Sequence, residues 1–224
     1  MKVLLFGASG MIGQSVLREC LYDPRVSTVL YVGRTAIQNT HPKFRQIVHS
    51  DVSQLTPIEA SLEGFDACFF CLGVSSIRMS EGEYTRVTHD LTLSVARTLV
   101  RLNPVMTFVY VSAQGTDGSG KSSMMWARVR GKTENEILAL PFKGYAVRPG
   151  FIQPLHGIRS KTAAYQLAYT LLAPIIPLTT RFLPKYVTTT ERLGRAMLHV
   201  AANGYHKKIL ESSDINQAGT AGEK

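Results

Sequence analysis

Cysteine is scarce in this sequence, and its scarcity excludes a disulfide-built fold. The 224 residues contain three cysteines, Cys20, Cys68 and Cys71. An odd number of cysteines in a chain without a signal-peptide pattern predicts reduced thiols and a cytoplasmic protein. Cys68 and Cys71 form a C-x-x-C, but they lie in an apolar run that reads as one buried strand. Strand alternation then puts their side chains on opposite faces, so we expect neither a metal site nor a redox pair.

The sequence also lacks an apolar run long enough to cross a membrane. Its longest apolar stretch, residues 163–178, is interrupted by Pro174 and Pro177. It is shorter than the roughly 20 residues that a spanning helix needs. We expect a buried helix followed by a loop, with contact to a membrane surface as the alternative.

Long basic runs are missing as well, although the chain is basic. Lys and Arg outnumber Asp and Glu by 25 to 16, a formal net charge of +9, yet the longest basic run is Lys207-Lys208. The charge allows an anionic ligand, but the scatter and the absence of a nucleic-acid motif argue against a nucleic-acid partner.

What the sequence does contain is a glycine turn in its first thirteen residues. The apolar run Val3 to Phe6 stops at Gly7, and glycines recur at positions 10 and 13 before a helical stretch. A strand, such a turn and a helix together bind the pyrophosphate of a dinucleotide at the helix N-terminus. The residues predicted to bind it are Gly7, Ser9, Gly10, Met11, Ile12 and Gly13.

Strands and amphipathic helices alternate after the turn. This order predicts an α/β fold, a Rossmann-type doubly wound parallel sheet in a single domain. The predicted strands are 3–6, 26–32, 44–48, 65–72, 105–111 and 144–147, and the predicted helices are 11–21, 83–102, 123–140 and 189–202. We expect residues 151–215 to form a C-terminal extension on the substrate side and residues 216–224 a disordered tail.

The end of the second strand indicates which dinucleotide binds. NAD-binding chains usually place an acidic residue there to hold the ribose hydroxyls, whereas this chain has Arg34. A guanidinium matches a 2′-phosphate, so NADP(H) is favoured over NAD(H), unless Arg34 is only a solvated loop residue. Asp51 and Val52 would then lie beside the adenine. The segment Cys71, Leu72 and Gly73 would lie along the ribose and inner phosphate.

With these residues placed, the chain resembles the short-chain dehydrogenase/reductase superfamily. It is most similar to the atypical, epimerase-like NAD(P)H-binding branch that includes the Tat-interactive oxidoreductase-like proteins. The motifs that carry the resemblance are GASGxxG, Gly33-Arg34, Cys71-Leu-Gly73, Val109-Tyr-Val-Ser112 and Arg148-Pro-Gly150, whose Pro149 joins the predicted cofactor-binding residues.

The resemblance implies a catalytic Ser, Tyr and Lys, of which only the Ser is present. Ser112 occupies the Ser place, but Trp126 stands at the Tyr place and Arg130 at the Lys place. Near neutral pH an indole does not act as an acid and a guanidinium stays protonated, so the usual proton relay is missing. Arg130 could still bind the ribose. Ser112, Tyr84 and His89 are candidate alternative proton donors.

A second nucleotide-binding pattern competes with the first. Residues 115–122, Gly-Thr-Asp-Gly-Ser-Gly-Lys-Ser, match G-x-x-x-x-G-K-[ST] and lie between a strand and a helix. Three residues separate the strand from Gly115, and no well-placed Asp follows another strand to hold Mg²⁺. A flexible loop over the active site is therefore favoured over a nucleoside triphosphate site.

These observations predict an NADP(H)-binding oxidoreductase that acts on an unidentified small molecule. The main alternative is a non-catalytic protein that binds NADP(H) as a regulatory ligand, and a minor one is the nucleoside triphosphate binder. If the chain forms a homodimer, helices 83–102 and 123–140 are its predicted faces.

Overall fold

A seven-stranded parallel sheet organises the computed structural model, which describes residues 1–158 and 185–221. The strand order is β3-β2-β1-β4-β5-β6-β9. Its strands are β1 (Lys2–Phe6), β2 (Thr28–Gly33), β3 (Phe44–Val48), β4 (Ala67–Phe70), β5 (Thr107–Val111), β6 (Lys143–Arg148) and β9 (Ile209–Glu211). Strands β7 (Phe151–Gln153) and β8 (Val187–Thr189) form a separate parallel pair.

Helices cover both faces of this sheet. They are α1 (Met11–Tyr22), α2 (Glu81–Thr85), α3 (Leu91–Leu102), α4 (Met125–Ala139), α5 (Thr190–Asn203) and α6 (Ser212–Thr220). A π-helical turn, Arg86–Asp90, joins α2 to α3, and a 3₁₀ helix, Thr56–Ser61, precedes β4. Parallel strands with helices on both faces and the order 3-2-1-4-5-6 confirm the predicted doubly wound Rossmann fold.

Both faces of the central strands are buried, which is why β1 and β4 read as continuous apolar runs. Val3 and Leu5 join a cluster with α1 and α5, whereas Leu4 joins a cluster with α3. The same alternation places the two cysteine side chains on opposite faces, as predicted: Cys68 lies in the second cluster and Cys71 against the first. Burial raises the pKa of both thiols, so neither is a ready thiolate.

The predicted helices and strands have their counterparts, and boundary shifts have local causes. The helix predicted from residue 83 begins at Glu81, because Ser80 and Glu83 form a capping box. The sequence pattern S-x-x-E carried that signal. The fourth strand begins later than predicted, because the Phe65 amide donates to the Asn103 side chain instead of to a neighbouring strand.

The C-terminal part of the chain is more integrated than the predicted extension. Strand β9 pairs with β6 as the seventh strand, and helix α5 packs against α1. The tail predicted to be disordered from Asn216 is helical through Thr220, which corrects that expectation. The apolar stretch 163–178 lies outside the described residues. In the described ranges, no helix has the length and apolar character that crossing a membrane requires.

A buried ion pair fastens β6 to α4. The Arg148 guanidinium donates to both carboxylate oxygens of Glu134, which is fully buried, and also to Glu211. These carboxylates raise the pKa of Arg148. The pair joins α4 to the sheet. Removing one member would leave a buried charge unpaired and would strongly destabilise this contact.

The burial of Asn216 generates a stability prediction. Its side chain donates to the Val187 carbonyl at 2.9 Å and accepts from the Thr188 hydroxyl at 2.8 Å. Asn216→Ala leaves both groups without their partner and should lower the free energy of unfolding by about 1–3 kcal/mol. Urea denaturation measures the loss. The exposed neighbour is the control: Gln217→Ala should change stability by about 0.5 kcal/mol or less. Equal effects of the two would contradict the buried role.

Candidate functional site

The glycine turn brings three backbone segments into contact at the carboxyl edge of the sheet. Gly7 has a φ of +85°, and a Cβ there would lie 2.6 Å from the Cys71 carbonyl carbon. A Cβ on Gly13 would lie 2.6 Å from the Gly7 carbonyl carbon. The turn after β1, the start of α1 and the end of β4 therefore approach closer than side chains would permit.

Gly10 differs from the other two glycines. A Cβ there would meet nothing nearer than the Gly7 carbonyl oxygen, at 3.5 Å. Internal packing therefore does not require glycine at position 10, and the space beside it is open. Helix α1 begins at Met11 with no side-chain cap and no acidic residue in its first turn. Its first amides, those of Met11, Ile12 and Gly13, are the type of donors that bind a phosphate.

Ser9 and Arg34 both lie near the side chain of Tyr31. The Tyr31 ring folds back over Gly33, and its hydroxyl donates to the Thr35 carbonyl at 3.1 Å. Burial raises the pKa of Tyr31, while a hydrogen bond with Ser9 and the nearby Arg34 guanidinium oppose the rise. Arg34 itself is exposed and has no ion pair within the described ranges. A groove of about 470 Å³ opens next to this group, lined by Ala8, Ser9, Gln14, Leu17 and residues 35–39.

The remaining residues predicted to bind the cofactor differ in exposure. Asp51 is exposed, and its carboxylate accepts from the amide and the hydroxyl of Ser53, which lowers its pKa. Val52 is buried among the apolar residues on the α3 face. Cys71 continues the pairing of β4 with β1 by donating its amide to the Phe6 carbonyl, and Leu72 and Gly73 follow it at the edge of the sheet.

Ser112 lies directly after β5 and is buried. Its hydroxyl is 3.1 Å from that of Thr116, which donates its single proton to the Ala113 carbonyl at 2.7 Å. Ser112 must therefore be the donor to Thr116. The Ser112 proton already has an acceptor, whereas its lone pairs remain available.

Helix α4 brings Arg130 to the sheet edge and leaves Trp126 one turn before it. Arg130 Nε donates to the Tyr84 hydroxyl at 2.8 Å, and its Nη1 donates to the Val111 carbonyl at 3.4 Å. The Trp126 ring is half-buried and packs against Gly115, where a Cβ would lie 3.2 Å from the ring. Position i and position i+4 share a helix face, as predicted, but the two side chains have different neighbours.

The two other candidate proton donors have different surroundings. Tyr84 is buried and contacts Arg130 through its hydroxyl. His89 lies between two carboxylates, with Nδ1 at 2.8 Å from Asp90 and Nε2 at 2.9 Å from Glu136. Because both of its ring nitrogens are engaged between α2–α3 and α4, His89 is poorly placed to exchange a proton at the sheet edge.

The loop 115–122 folds around its own carboxylate. Asp117 accepts from the amides of Ser119 and Ser122, at 2.8 and 2.6 Å, and from the Ser119 hydroxyl. These bonds lower the pKa of Asp117 to about 2. A phosphate-binding loop offers such amides to its ligand, and its Lys-Ser pair opens the helix. Here α4 begins only at Met125, so the geometry argues against a nucleoside triphosphate site.

Pro149 closes the far side of the site. It is buried, and its carbonyl accepts from the amide of Gln114 at 3.0 Å. The amide of Gly150 donates to the Ser212 hydroxyl at 2.9 Å. This segment thus ties the loop after β5 to helix α6.

Comparison with known proteins identifies the family of this chain. Residues 3–147 match the NAD dependent epimerase/dehydratase family. The chain belongs to this family. The resemblance drawn from the motifs is thereby confirmed, and the match spans the glycine turn, Arg34, Ser112 and helix α4.

Two relatives share a little over a quarter of their aligned residues with the chain. Protein HTATIP2 of Rattus norvegicus is 28% identical over 154 residues, which cover 67% of this chain and 62% of that protein. Protein fmp52, mitochondrial, of Emericella nidulans is 27% identical over 159 residues, covering 67% and 66%. The match spans just under two thirds of either relative.

Solved structures share the fold. The Bordetella bronchiseptica enzyme WbmF, in complex with NAD⁺, superposes with a TM-score of 0.67 at 14% identity, covering 98% of this chain and 77% of that one. A UDP-N-acetylglucosamine 4-epimerase from Methanobrevibacter ruminantium gives 0.68 at 13% identity, covering 93% and 74%.

Sequence reasoning missed contacts made across helices and loops. Thr116, which holds the Ser112 hydroxyl, carries no motif signal, and neither does the pairing of Tyr84 with Arg130. Among the described residues, Glu19, His156 and Glu191 bring three potential metal ligands together. Arg18 contacts Glu19 and Arg195 contacts both glutamates, so two guanidinium groups already balance the carboxylates.

The close approach at the turn predicts that alanine destabilises the protein more at position 13 than at position 10. Ala usually stabilises a helix interior by about 1 kcal/mol over Gly. At position 13 the added methyl would overlap the Gly7 peptide, so Gly13→Ala should instead destabilise the protein by about 1–3 kcal/mol. Gly10→Ala should cost about 1 kcal/mol or less, as a weaker helix cap. Urea denaturation of both variants tests this, and a stabilised Gly13→Ala would contradict the packing.

Proposed function

We propose that the chain binds NADP(H) along the carboxyl edge of β2, β1, β4 and β5, and that it is an oxidoreductase acting on a small molecule. The observation that carries this proposal is the open space beside Gly10 at the uncapped start of α1. Family membership and the NAD⁺ complex of WbmF support a dinucleotide in that space. When bound, the nicotinamide would supply or accept a hydride.

The residues of the edge fit the parts of such a ligand in order. The first amides of α1 would hold the pyrophosphate. Arg34 at the β2 end and Ser9 in the turn after β1 would hold the adenosine side. Arg130, over β5, would hold the nicotinamide ribose. Asp51, Val52 and the segment 71–73 would border the adenine and the inner ribose, with Pro149 beyond them.

The preference for NADP(H) over NAD(H) rests on Arg34 and its neighbours. No acidic residue follows β2, and the exposed guanidinium has no carboxylate to neutralise it within the described part of the chain. A 2′-phosphate would compensate the guanidinium, whereas a bare ribose hydroxyl would leave it uncompensated.

A specific observation favours a second candidate, a non-catalytic NADP(H)-binding regulatory protein. The phenol place holds Trp126, and the Ser112 proton is bonded to Thr116. General acid–base help worth about 10²–10⁴-fold would be missing. NADPH oxidation at 340 nm with a panel of carbonyl compounds separates the two: turnover supports the oxidoreductase, and tight binding without turnover supports the regulatory protein.

We also propose a reducing compartment, the cytoplasm, because all three cysteines are free thiols. Cell fractionation tests this against the mitochondrial label of fmp52. We further propose that the substrate is a small molecule and that the protein does not bind nucleic acid. A homodimer through the outer faces of α3 and α4 stays a prediction.

Filling the space beside Gly10 tests the cofactor site. Gly10 has an extended conformation, with φ −85° and ψ 165°, that valine adopts readily, so Gly10→Val should fold. Its side chain would occupy the proposed pyrophosphate position, and NADPH binding by calorimetry should be lost. Gly82→Val, at a glycine where an added Cβ meets nothing within 4 Å, is the control. Unchanged NADPH affinity in Gly10→Val would place the ligand elsewhere.

Removing the Arg34 guanidinium tests the cofactor preference. A hydrogen bond to a charged group contributes about 1.5–3 kcal/mol, or roughly ten- to a hundredfold in affinity. Arg34→Ala should weaken NADPH binding by that factor and leave NADH binding nearly unchanged. Arg101→Ala, at an exposed arginine on α3, is the matched control. Equal losses for both cofactors would show that Arg34 does not contact the 2′-phosphate.

A further inference from the structure

Among the described residues, the guanidinium of Arg130 contacts neutral groups and no carboxylate. Its Nε donates to the Tyr84 hydroxyl and its Nη1 to the Val111 carbonyl. Within residues 1–158 and 185–221 it has no carboxylate partner; nearby Glu134 is taken by Arg148. A half-buried cation with only neutral partners keeps its capacity to bind an anionic or hydroxyl-rich ligand.

The Nη2 end of this guanidinium faces the sheet edge. The nearest heavy atom to a Cβ built on Gly73 would be Arg130 Nη2, at 3.7 Å. Gly73 follows β4, and Val111 ends β5, so Nη2 lies over these two strands. Arg34 follows β2, on the other side of β1. The two arginines therefore stand at opposite ends of the proposed dinucleotide site.

Tyr84 is built into the fold as a rigid support. It lies in α2, a short helix fixed at its start by the Ser80–Glu83 capping box and followed by the π-helical turn. Its side chain is only 1% exposed, and α2 packs against α4. A buried phenol has little rotational freedom, so its hydroxyl defines where Arg130 Nε can lie.

We propose that Tyr84 is a positioning residue, which aims the Arg130 guanidinium at the nicotinamide-side ribose of bound NADP(H). Helix α4 lacks the usual pair of a phenol and a cation one turn apart. In this structure α2 supplies the phenol of Tyr84 and α4 supplies the cation of Arg130. This inference rests on the proposed NADP(H) site. It adds a residue on another helix, 46 positions away, that acts on the ligand only through Arg130.

Removing the Tyr84 hydroxyl should affect one half of the cofactor. In Tyr84→Phe the ring still fills its place, but Arg130 Nε loses its acceptor and the guanidinium can turn away. We expect NADPH binding to weaken by about tenfold, the lower end of the effect of a hydrogen bond to a charged group. Binding of 2′,5′-ADP, which contains only the adenosine half, should change less than about twofold. Calorimetry with the full chain measures both affinities.

Two further variants separate positioning from general support of the fold. Tyr145→Phe removes the hydroxyl of another buried tyrosine, which accepts from the Tyr205 amide away from the site, and should alter neither affinity. Arg130→Met should weaken NADPH binding, and adding Tyr84→Phe to it should have no further effect. Multiplying losses, or equal losses for NADPH and 2′,5′-ADP, would overturn the role of Tyr84. A parent protein that fails to bind NADPH would instead overturn the proposed function itself.

Discussion

The peptide of Gly7 is the point at which β1, α1 and β4 come together, and the rest of the site depends on that contact. Gly7 touches the backbone of Cys71 on one side and that of Gly13 on the other, with no side chain between them. Because α1 is seated by this contact, its first amides face the edge of the sheet. Helix α5 packs on α1 in turn, so the same contact also positions α5.

Charge is distributed in two ways around this frame. Arg148 and Arg195 are bound by carboxylates and fasten elements to one another. Arg34 and Arg130 contact no carboxylate among the described residues, and both lie at the carboxyl edge of the sheet. Unpaired cations at an edge with free helix amides give the site a positive potential, which suits a polyphosphate ligand. Two of the excess basic residues are therefore concentrated at one edge of the sheet, which the composition alone did not show.

The sequence was sufficient for the elements with strong periodic signals. Strand β1, the glycine turn and α1 follow from apolar runs and glycine spacing, and the opposite faces of Cys68 and Cys71 follow from alternation. Helix α6 could not be found this way, because its buried face includes Asn216 and Asp214, which are held by hydrogen bonds rather than by apolar packing. Strand β9 is only three residues long and joins β6 from 63 residues away. Spacing along one helix likewise identified the places of Trp126 and Arg130, but a partner on another helix leaves no local pattern.

The bond from Ser112 to Thr116 gives the site a direction. Each hydroxyl has one proton. Ser112 donates its proton to Thr116, and Thr116 donates its own to the Ala113 carbonyl, where the series of hydrogen bonds ends. An arriving alcohol or amine carries its own proton and meets an oxygen on Ser112 that can accept it at once. An arriving carbonyl has none, so it can be bound by Ser112 only after the bond to Thr116 is broken. The resting arrangement therefore offers an approaching group an acceptor oxygen on Ser112 but no uncommitted proton.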